Sequence, residues 1–410
     1  MLAFTFPGQG SQRPSMGSSW VDHPSFELAY AADEILSRDI HSLLLDADEN
    51  DLKKTENAQI ATFIFSLIVL DAVERLGLEP TIAAGHSLGE YTALAATAAI
   101  SFEDGIRLVG ERGSAMADAA EEQQGSMIAV LGLTDEDAQI ACNLAEGKAW
   151  LANTNSPGQV VISGDLASLD KVKEVCKNMG AKKIIPLAVS GAFHSPFMEP
   201  ARERLRKVLS TISFRDPSPA IVANVDAKIH SKADDWPQLL SAQLCSPVRW
   251  HQSVTELYNN GARSFIEIGP GNVLTGLTKR TLTAVDESLF YSNIATPQDL
   301  EQLMEKLSGQ GKAGSSLDAE TPIVYAMTER LVVAPSIGRF RPADNLVEVL
   351  PKLTGNPNHH IDIKAGDLIG WSGKVEIRTP FSGILQGILV LEGERVAPGQ
   401  PVAWLRVNEI

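Results

Sequence analysis

The chain is poor in cysteine and has no apolar run long enough to cross a bilayer. Its 410 residues include three cysteines, Cys142, Cys176 and Cys245, whose spacing is not that of a metal cluster. Three thiols cannot all pair, so we expect free thiols in a reducing cytosol. Polar residues interrupt the longest apolar candidate, Ala58–Leu70, and the first residues lack the basic start of a secretory signal. We therefore expect a cytoplasmic protein with no metal site and no membrane segment.

Positive charge is also scarce. Lysine and arginine together number 35 against 51 aspartates and glutamates, which gives a formal net charge of −16. Nucleic acids and anionic membranes attract basic surfaces, so neither is an expected partner. An acidic partner protein would need a local basic patch on this chain.

The motif around which the chain is organised is a glycine turn, GHSLG at Gly85–Gly89. A short apolar run enters it and an alanine-rich helical segment leaves it, which is the G-x-S-x-G pattern of a nucleophile elbow. The two glycines lack a Cβ, so strand and helix can approach closely while the hydroxyl of Ser87 is exposed. An ordinary glycine turn has the same pattern, and the motif alone does not decide between them.

Alternating strand and helix patterns predict an α/β domain over residues 1–305. Within it, residues 125–190 follow the β-α-β-β-α-β order of a ferredoxin-like insert, with a predicted turn at 155–158. Residues 306–321 are rich in Gly and Ser and predict a flexible linker. Residues 322–410 contain short strand-like runs between Gly and Pro turns, which predict a small all-β domain.

A nucleophilic serine needs a base within hydrogen-bond reach. Of the eight histidines, His194 lies in a glycine-flanked loop from which a catalytic group can project. The alternative for His194 is a histidine at a helix start or in the core. His86 is expected to be structural because side chains of neighbours at a sharp turn diverge, and Cys245 shows no activating surroundings. The PGQGSQ loop at residues 7–12 lacks the Lys-Ser/Thr ending of a phosphate-binding loop.

Seven segments fall in order and at fitting spacing along residues 1–305. They are PGQGSQ (7–12), GHSLGEY (85–91), ERG (111–113), NTNSPGQVVISG (153–164), GAFH (191–194), QLCSPVRW (243–250) and IGPGNVLTGLTKR (268–280). Together they resemble the malonyl-CoA:acyl carrier protein transacylase family. The resemblance implies an α/β-hydrolase-like large subdomain with an inserted ferredoxin-like small subdomain.

The resemblance also implies a set of catalytic roles. Ser87 would attack the thioester of malonyl-CoA, and His194 would act as its base and then as an acid. The backbone N–H groups of Gln9 and Leu88 would form the oxyanion hole, and the backbone carbonyl of Gln243 would orient the imidazole. The acceptor would be the phosphopantetheine thiol of an acyl carrier protein, with malonyl-CoA as substrate and no bound cofactor.

Two further positions would set the substrate class. The family places Arg112 deep in the acyl pocket, where its guanidinium can hold the malonyl carboxylate through two hydrogen bonds. Phe193, just before the histidine, goes with malonyl rather than methylmalonyl. The alternatives are an exposed helix arginine and a core phenylalanine. Asn153 and Asn155 are candidates for lining the cleft between the subdomains, and Asn155 is equally a candidate for the turn.

The carrier protein of this family is acidic, so the resemblance implies a basic docking surface. The alternative is an ordinary solvated helix face. The candidate residues are Lys171, Lys173, Lys177, Lys182, Lys183, Arg202, Arg204 and Arg206.

The C-terminal part resembles a biotinyl/lipoyl carrier domain. In that family a lysine at a hairpin tip, inside Met-Lys-Met, carries the cofactor. Here the hairpin reads GWSGKVEIR, its predicted tip is Ser372-Gly373, and Lys374 is expected one position off the turn. We therefore expect an unmodified β domain that binds a protein partner or acts as a scaffold.

Two other functions stay open at this point. One is an editing hydrolase that releases carrier-bound acyl groups to water, for which a buried Arg112 would have no use. The other is a non-catalytic interaction protein that works through its C-terminal domain. The sequence leaves the pathway, the carrier and the oligomeric state undecided.

Overall fold

The computed structural model describes residues 1–309, 329–336, 338–343, 346, 361–380, 382–390, 392–396 and 400–406. The chain divides into two compact units, residues 1–72 with 79–302 and residues 73–78 with 303–410. The predicted linker begins inside a helix, since Pro297–Gly309 is helical, and its remainder lies outside the described residues.

Ten strands occur before residue 310. They are β1 Leu2–Phe6, β2 Ile82–Gly85, β3 Ser126–Leu131, β4 Ala149–Ser156, β5 Gln159–Gly164, β6 Lys183–Pro186, β7 Ile221–Val222, β8 Ile229–His230, β9 Ser264–Ile268 and β10 Phe290–Ile294.

Thirteen α-helices alternate with these strands. They are α1 Glu27–Leu36, α2 Ile40–Leu45, α3 Glu49–Lys53, α4 Thr55–Glu74, α5 Gly89–Ala96, α6 Phe102–Glu122, α7 Asp135–Leu144, α8 Leu166–Asn178, α9 Glu199–Leu209, α10 Trp236–Gln243, α11 Trp250–Asn259, α12 Val273–Leu282 and α13 Pro297–Gly309.

A six-stranded sheet forms the centre of the first unit, in the order β10-β9-β1-β2-β7-β8. All neighbouring strands are parallel except β7 and β8, which are antiparallel. Every residue of β1 and β2 is buried, as in parallel sheets covered by helices on both faces. The carboxyl ends of β1, β2 and β7 therefore meet at one edge, where the nucleophile turn lies.

Helix α6 supplies the arginine of the site, and Ser101 is its N-cap. The Oγ of Ser101 accepts a hydrogen bond from the N–H of Asp104 at 3.1 Å, which caps the helix. Acidic residues in the first turn favour the positive end of the helix dipole. One side of the helix packs into the core, and Arg112 is on that side.

No apolar run long enough to cross a bilayer is expected from the sequence, but helix α4 is long and apolar enough to do so by length and composition. It is 20 residues long, and 89% of its most apolar window is buried inside the protein. Such burial is typical of a core helix. Helix α4 also provides Gln59 to the site described below.

A second sheet, formed by residues 126–186, is entirely antiparallel in the order β4-β5-β3-β6. The element order β-α-β-β-α-β agrees with the prediction. The predicted turn is displaced, because Asn155 and Ser156 end β4 and only Pro157 and Gly158 lie between the strands. Cys142 and Cys176 are free thiols in the core of this sheet and its helices, and Cys245 is also free.

The described part of the C-terminal unit consists mainly of strands in two four-stranded antiparallel sheets. Their orders are β11-β18-β16-β13 and β15-β14-β12-β17. The strands are β11 Glu329–Val333, β12 Gly338–Pro342, β13 Ile361–Ile363, β14 Leu368–Ser372, β15 Val375–Arg378, β16 Gly383–Ile388, β17 Arg395–Val396 and β18 Pro401–Arg406.

The predicted tip of one hairpin in this unit is wrong by one residue. Ser372 pairs with Val375, so the two residues of the turn are Gly373 and Lys374. Gly373 has φ 63°, a left-handed conformation that a glycine adopts without strain. The exposed Lys374 therefore lies in the turn itself and not beside it.

Candidate active site

Ser87 lies at a sharp turn between β2 and α5, which the two flanking glycines make possible. Its φ of 51° is left-handed, an uncommon conformation for a residue with a side chain. A Cβ on Gly85 would collide with the carbonyl of Gly89, and a Cβ on Gly89 would collide with the carbonyl of Phe6. The turn is therefore a nucleophile elbow in which the serine side chain stays partly exposed.

Asn224 holds this turn in place, although the sequence analysis did not identify it. Its Oδ1 accepts a hydrogen bond from the N–H of Ser87 at 2.7 Å, and its Nδ2 donates to the carbonyl of Gly85 at 2.6 Å. Asn224 is 0% exposed and follows β7, the parallel neighbour of β2. A polar side chain just after a short apolar run such as Ile221–Val222 is a signal in the sequence that could have identified it.

The structure brings Ser87 and His194 together across 107 residues of sequence. The Oγ of Ser87 is 2.8 Å from Nε2 of His194, and Nδ1 of His194 is 2.9 Å from the carbonyl oxygen of Gln243. Burial, reinforced by the positive charge of Arg112, lowers the pKa of His194 to about 3. The imidazole is therefore neutral near pH 7, with Nδ1–H donating to the carbonyl and Nε2 free to accept the serine proton.

Arg112 is buried beside the nucleophile, with 1% of its surface exposed. Its Nη1 donates to Oε1 of Gln59 at 2.6 Å, and its Nη2 donates to Oε1 of Gln243 at 3.0 Å and to Oγ of Ser87 at 3.1 Å. Its Nε has no partner among the described residues. The expectation of a deep arginine therefore agrees with the structure, and the alternative of an exposed helix arginine does not.

No carboxylate of the described residues forms an ion pair with Arg112. A buried guanidinium that contacts only neutral groups is costly unless a negative charge arrives with a ligand. The amide side chains of Gln59 and Gln243 that hold it were not identified from the sequence, since nothing local marks a buried glutamine as a partner.

A pocket of about 490 Å³ opens over Ser87, His194 and Arg112. Four other predicted site residues line it, namely Gln9, Asn153, Asn155 and Phe193. The remaining two are not among its lining residues: the main-chain carbonyl of Gln243 contacts His194, and Leu88 immediately precedes α5, where its oxyanion-hole role stays a prediction. Phe193 is also 5% exposed, so packing and pocket lining both hold for it.

Asn155 connects the second sheet to the elbow. Its Oδ1 is 2.9 Å from Nε2 of His86, whose ring packs edge-on against Trp250 at 5.4 Å between centroids. The N–H of Thr154 donates to the carbonyl of Val248, which joins β4 to the segment that follows Gln243. His86 is thus structural, as predicted, and Asn155 is both a pocket residue and a brace.

Cys245 does not offer a competing nucleophile. Its Sγ is 3.3 Å from Oε2 of Glu199, and burial together with this carboxylate raises the pKa of the thiol to about 12. The thiolate, which is the reactive form, is therefore scarce near neutral pH.

The predicted basic patch separates into paired and unpaired cations. The side chain of Arg204 pairs with Glu111 and Asp118, while Arg202, Arg206 and Lys173 pair with acidic residues of their own helices. Among the described residues, no ion pair is found for Lys171, Lys177, Lys182 or Lys183. Lys171 and Lys177 on α8, with Lys182 and Lys183 at the start of β6, are therefore the cations of the predicted set without an ion pair among the described residues.

Comparison with known proteins agrees with this geometry. A model of the acyl transferase domain family matches residues 3–327. The malonyl CoA-acyl carrier protein transacylase of Bacillus subtilis is 39% identical over 311 residues, which cover 75% of this chain and 97% of that protein. The Escherichia coli enzyme of the same name is 40% identical over 291 residues, covering 69% and 94%.

Solved structures show the same likeness. An acyl carrier protein S-malonyltransferase from Vibrio cholerae has a TM-score of 0.70 at 36% identity and covers 74% of this chain and 99% of its own. A malonyl-transacylase in complex with its type II polyketide acyl carrier protein has a TM-score of 0.71 at 37% identity, with the same coverage. The chain belongs to the acyl transferase family, within its malonyl CoA-acyl carrier protein transacylases.

Proposed function

We propose that this chain transfers a malonyl group from malonyl-CoA to the phosphopantetheine thiol of an acyl carrier protein through Ser87. One observation carries this proposal: a buried arginine lies beside the nucleophile and contacts only neutral groups of the protein. The carboxylate of a malonyl group supplies the missing negative charge and can accept two parallel hydrogen bonds from a guanidinium. An acetyl group cannot.

The first half of the reaction loads the serine. His194 accepts the Oγ proton as Oγ attacks the thioester carbonyl, and a C–O bond forms while the carbonyl oxygen becomes negative. The backbone N–H groups of Gln9 and Leu88 stabilise that oxyanion. The C–S bond then breaks, and His194 returns the proton to the leaving sulfur of coenzyme A.

The second half runs the same steps in reverse on another thiol. His194 takes the proton of the carrier's phosphopantetheine thiol, whose sulfur attacks the malonyl ester. Collapse of the intermediate restores Ser87 and gives malonyl-carrier. A thioester has a better leaving group than an amide, which is consistent with a carbonyl rather than a carboxylate behind the imidazole.

Phe193 is proposed to favour malonyl over branched acyl groups. Its ring lines the pocket beside His194, where an α-methyl branch would need space. One methyl group contributes only about 1–3 kcal/mol of discrimination, so methylmalonyl would react slowly rather than not at all.

The acceptor is proposed to dock on the unpaired lysines, which are Lys171 and Lys177 on α8 with Lys182 and Lys183 at the start of β6. They carry local positive charge on a protein whose net charge is −16, and β6 is an exposed edge strand of its sheet. We place the enzyme in the cytoplasm on the basis of its free thiols, in either fatty acid or polyketide synthesis.

The finer domain assignments are also proposals. The mostly parallel sheet with its elbow supports an α/β-hydrolase-like large subdomain, and the β-α-β-β-α-β order supports a ferredoxin-like insert. The paired four-stranded sheets support a biotinyl/lipoyl-like C-terminal domain.

Lys374 is proposed to stay unmodified because its neighbours Gly373 and Val375 are not the methionines of the Met-Lys-Met pattern. Its place in the turn removes the positional argument for that view. Intact-mass measurement of the purified protein tests it, since a biotinyl or lipoyl adduct on Lys374 would contradict it. For a domain without such an adduct, we propose that it binds a protein partner or acts as a scaffold.

Intact-mass measurement also tests the proposed reaction. The protein is incubated with malonyl-CoA and then with a holo carrier protein. We expect a malonyl adduct that is absent in Ser87→Ala, present in Cys245→Ala, and passed to the carrier. Release only as free malonate would favour the editing hydrolase, and the absence of any adduct would favour a non-catalytic interaction protein.

A further inference from the structure

A completely buried carboxylate lies behind the groups that act on the substrate. Glu90, in the first turn of α5, is 0% exposed. Burial raises the pKa of Glu90 to about 7, which shows that the protein holds this carboxyl against a desolvation cost. Neither of its oxygens reaches the pocket lining, so its role must pass through the groups it binds.

One oxygen of Glu90, together with the carbonyl of Ser87, orients the amide of Gln243. Its Oε2 accepts a hydrogen bond from Nε2 of Gln243 at 2.5 Å, and that Nε2 also donates to the carbonyl of Ser87 at 2.8 Å. A backbone carbonyl can only accept, and Oε2 of Glu90 accepts beside it, so the NH₂ end of the amide must face both. The oxygen end of Gln243 is then left to face Nη2 of Arg112, at 3.0 Å.

The other oxygen of Glu90 acts on the nucleophile turn. Its Oε1 accepts a hydrogen bond from the N–H of Asn224 at 2.7 Å. The Asn224 side chain in turn holds the N–H of Ser87 and the carbonyl of Gly85. One carboxylate thus connects the arginine with the strained serine through two intermediates.

We propose that Glu90 is a positioning residue for acyl transfer, aiming Arg112 at the acyl carboxylate through Gln243 and steadying Ser87 through Asn224. The inference rests on the proposed function, because it takes the malonyl carboxylate as the ligand of Arg112. It adds a residue that touches no substrate yet contributes to substrate choice.

The test replaces Glu90 by its neutral isostere, Glu90→Gln. If the new amide keeps its oxygen on the N–H of Asn224, its NH₂ group faces the NH₂ group of Gln243. One amide must turn, and a turned Gln243 presents N–H groups to the N–H groups of Arg112. Loading rates of Ser87 are measured with malonyl-CoA and with acetyl-CoA, separating kcat from KM.

We expect kcat/KM for malonyl loading to fall by roughly ten- to hundredfold, the effect of losing one hydrogen bond to a charged group. Acetyl loading should fall much less, because it makes no use of the guanidinium. The preference for malonyl over acetyl therefore shrinks, which general loss of stability would not produce.

Glu267→Gln is the matched control. Glu267 is also a buried glutamate, 1% exposed, with its pKa raised mainly by burial. Its carboxylate caps α12 by accepting from the N–H groups of Leu274 and Thr275. We expect this variant to change thermal stability while the ratio of malonyl to acetyl loading stays at the wild-type value.

The outcomes separate the two proposals. If the wild-type protein loads malonyl and Glu90→Gln keeps the wild-type preference, the positioning role is wrong while the proposed function stands. If the wild type loads no malonyl, the proposed function itself fails. Should Glu90→Gln not fold, Gln243→Met keeps the main-chain carbonyl for His194 but removes the acceptor for Arg112, and an unchanged preference in it would overturn the positioning role.

Discussion

At the scale of single residues, the site is governed by one buried positive charge. Arg112 lies within hydrogen-bond distance of Ser87 and depresses the pKa of His194, so one guanidinium affects both the nucleophile and its base. Its hydrogen-bond partners are neutral, and the carboxyl of Glu90 lies beyond Gln243 without forming an ion pair with Arg112. We therefore expect substrate choice and base strength to be coupled.

Arg112→Ala should reduce malonyl loading far more than acetyl loading. Losing two charge-assisted hydrogen bonds, each about 1.5–3 kcal/mol, predicts a fall in malonyl kcat/KM of about two to four orders of magnitude. Arg112→Lys should restore little of the malonyl loading, because the ammonium group of lysine cannot donate two parallel hydrogen bonds to a carboxylate as a guanidinium does. Loading kinetics with both thioesters test this, and equal losses for malonyl and acetyl would assign Arg112 a structural role instead.

The loss of loading activity at acidic pH tests the effect of Arg112 on His194. Burial and the charge of Arg112 both disfavour the protonated imidazole, so His194 stays in its base form well below pH 6.5. Arg112→Ala removes the repulsion, which raises the pKa of His194 and moves the acid limb of acetyl loading to higher pH. Arg204→Ala, a surface arginine paired with Glu111 and Asp118, is the control and should not shift it. A limb that stays in place or moves to lower pH in Arg112→Ala would contradict the coupling.

At the scale of elements, the elbow depends on how closely β2 and α5 approach. Asn224, which follows β7, holds the left-handed Ser87 through a hydrogen bond. The close approach of strand and helix is possible because Gly85 and Gly89 have no side chains. Strain at such a position persists only where its surroundings over-determine it. The strand, the turn and the helix therefore act as one unit.

Gly85→Ala should abolish loading and lower the thermal unfolding midpoint, because the added methyl group meets main-chain atoms that cannot move aside. Gly276→Ala is the matched control: Gly276 lies within α12, and an added Cβ meets nothing within 4 Å. We expect it to keep full activity and to gain about 0.5–1 kcal/mol in the free energy of unfolding. Calorimetry measures the stability of both variants, and loading assays measure their activity. Near-normal activity in Gly85→Ala would show that β2 and α5 can lie further apart without loss of function.

At the scale of the whole molecule, two units of different character share one chain. The family model ends at residue 327, before the first strand of the C-terminal β region at Glu329. A solved relative from Streptococcus pneumoniae is matched over its full length by 75% of this chain. The acyl transferase part is thus comparable in extent to relatives that consist of that part alone.

A chain truncated after residue 327 should load malonyl with a kcat/KM within about twofold of the full protein. The reason is that every group of the described pocket lies before residue 278. Loading is followed by intact mass, and thermal melting shows whether the truncated chain is folded. A folded but inactive truncated protein would mean that the C-terminal unit takes part in catalysis.

Charge is a second property of the whole molecule. Reversal of Lys182 and Lys183 to glutamate should raise KM for the carrier protein, increasingly so at low salt, without changing malonyl loading from coenzyme A. Arg202→Glu is a control because its guanidinium is already paired with Glu199. An unchanged carrier KM would place the docking surface elsewhere.

The sequence was most informative where short-range constraints are strong. GHSLG predicts its own turn because only glycine tolerates the close approach at positions 85 and 89. Ser101 caps α6 through a hydrogen bond with a residue three positions away, and the alternating strand and helix patterns predict the α/β class of residues 1–305. Turns were less certain: the hairpin at Gly373-Lys374 and the one at Pro157-Gly158 are each displaced from the predicted positions. A register shift of one residue costs little locally, and only the packing of a whole sheet selects it.

By itself, the sequence determined the elbow, the order of the elements and, through resemblance, the residues that would carry out acyl transfer. Only the tertiary structure decided which groups hold those residues. Gln59 and Asn224 lie far from the elbow in sequence, and Glu90, although it lies within GHSLGEY, has no role that the motif indicates. The three residues meet around Arg112 and Ser87 through hydrogen bonds in the buried interior. Such bonds depend on distance and orientation after folding, which no local pattern encodes. The neutral partners of the buried Arg112 guanidinium are brought together by the same tertiary packing.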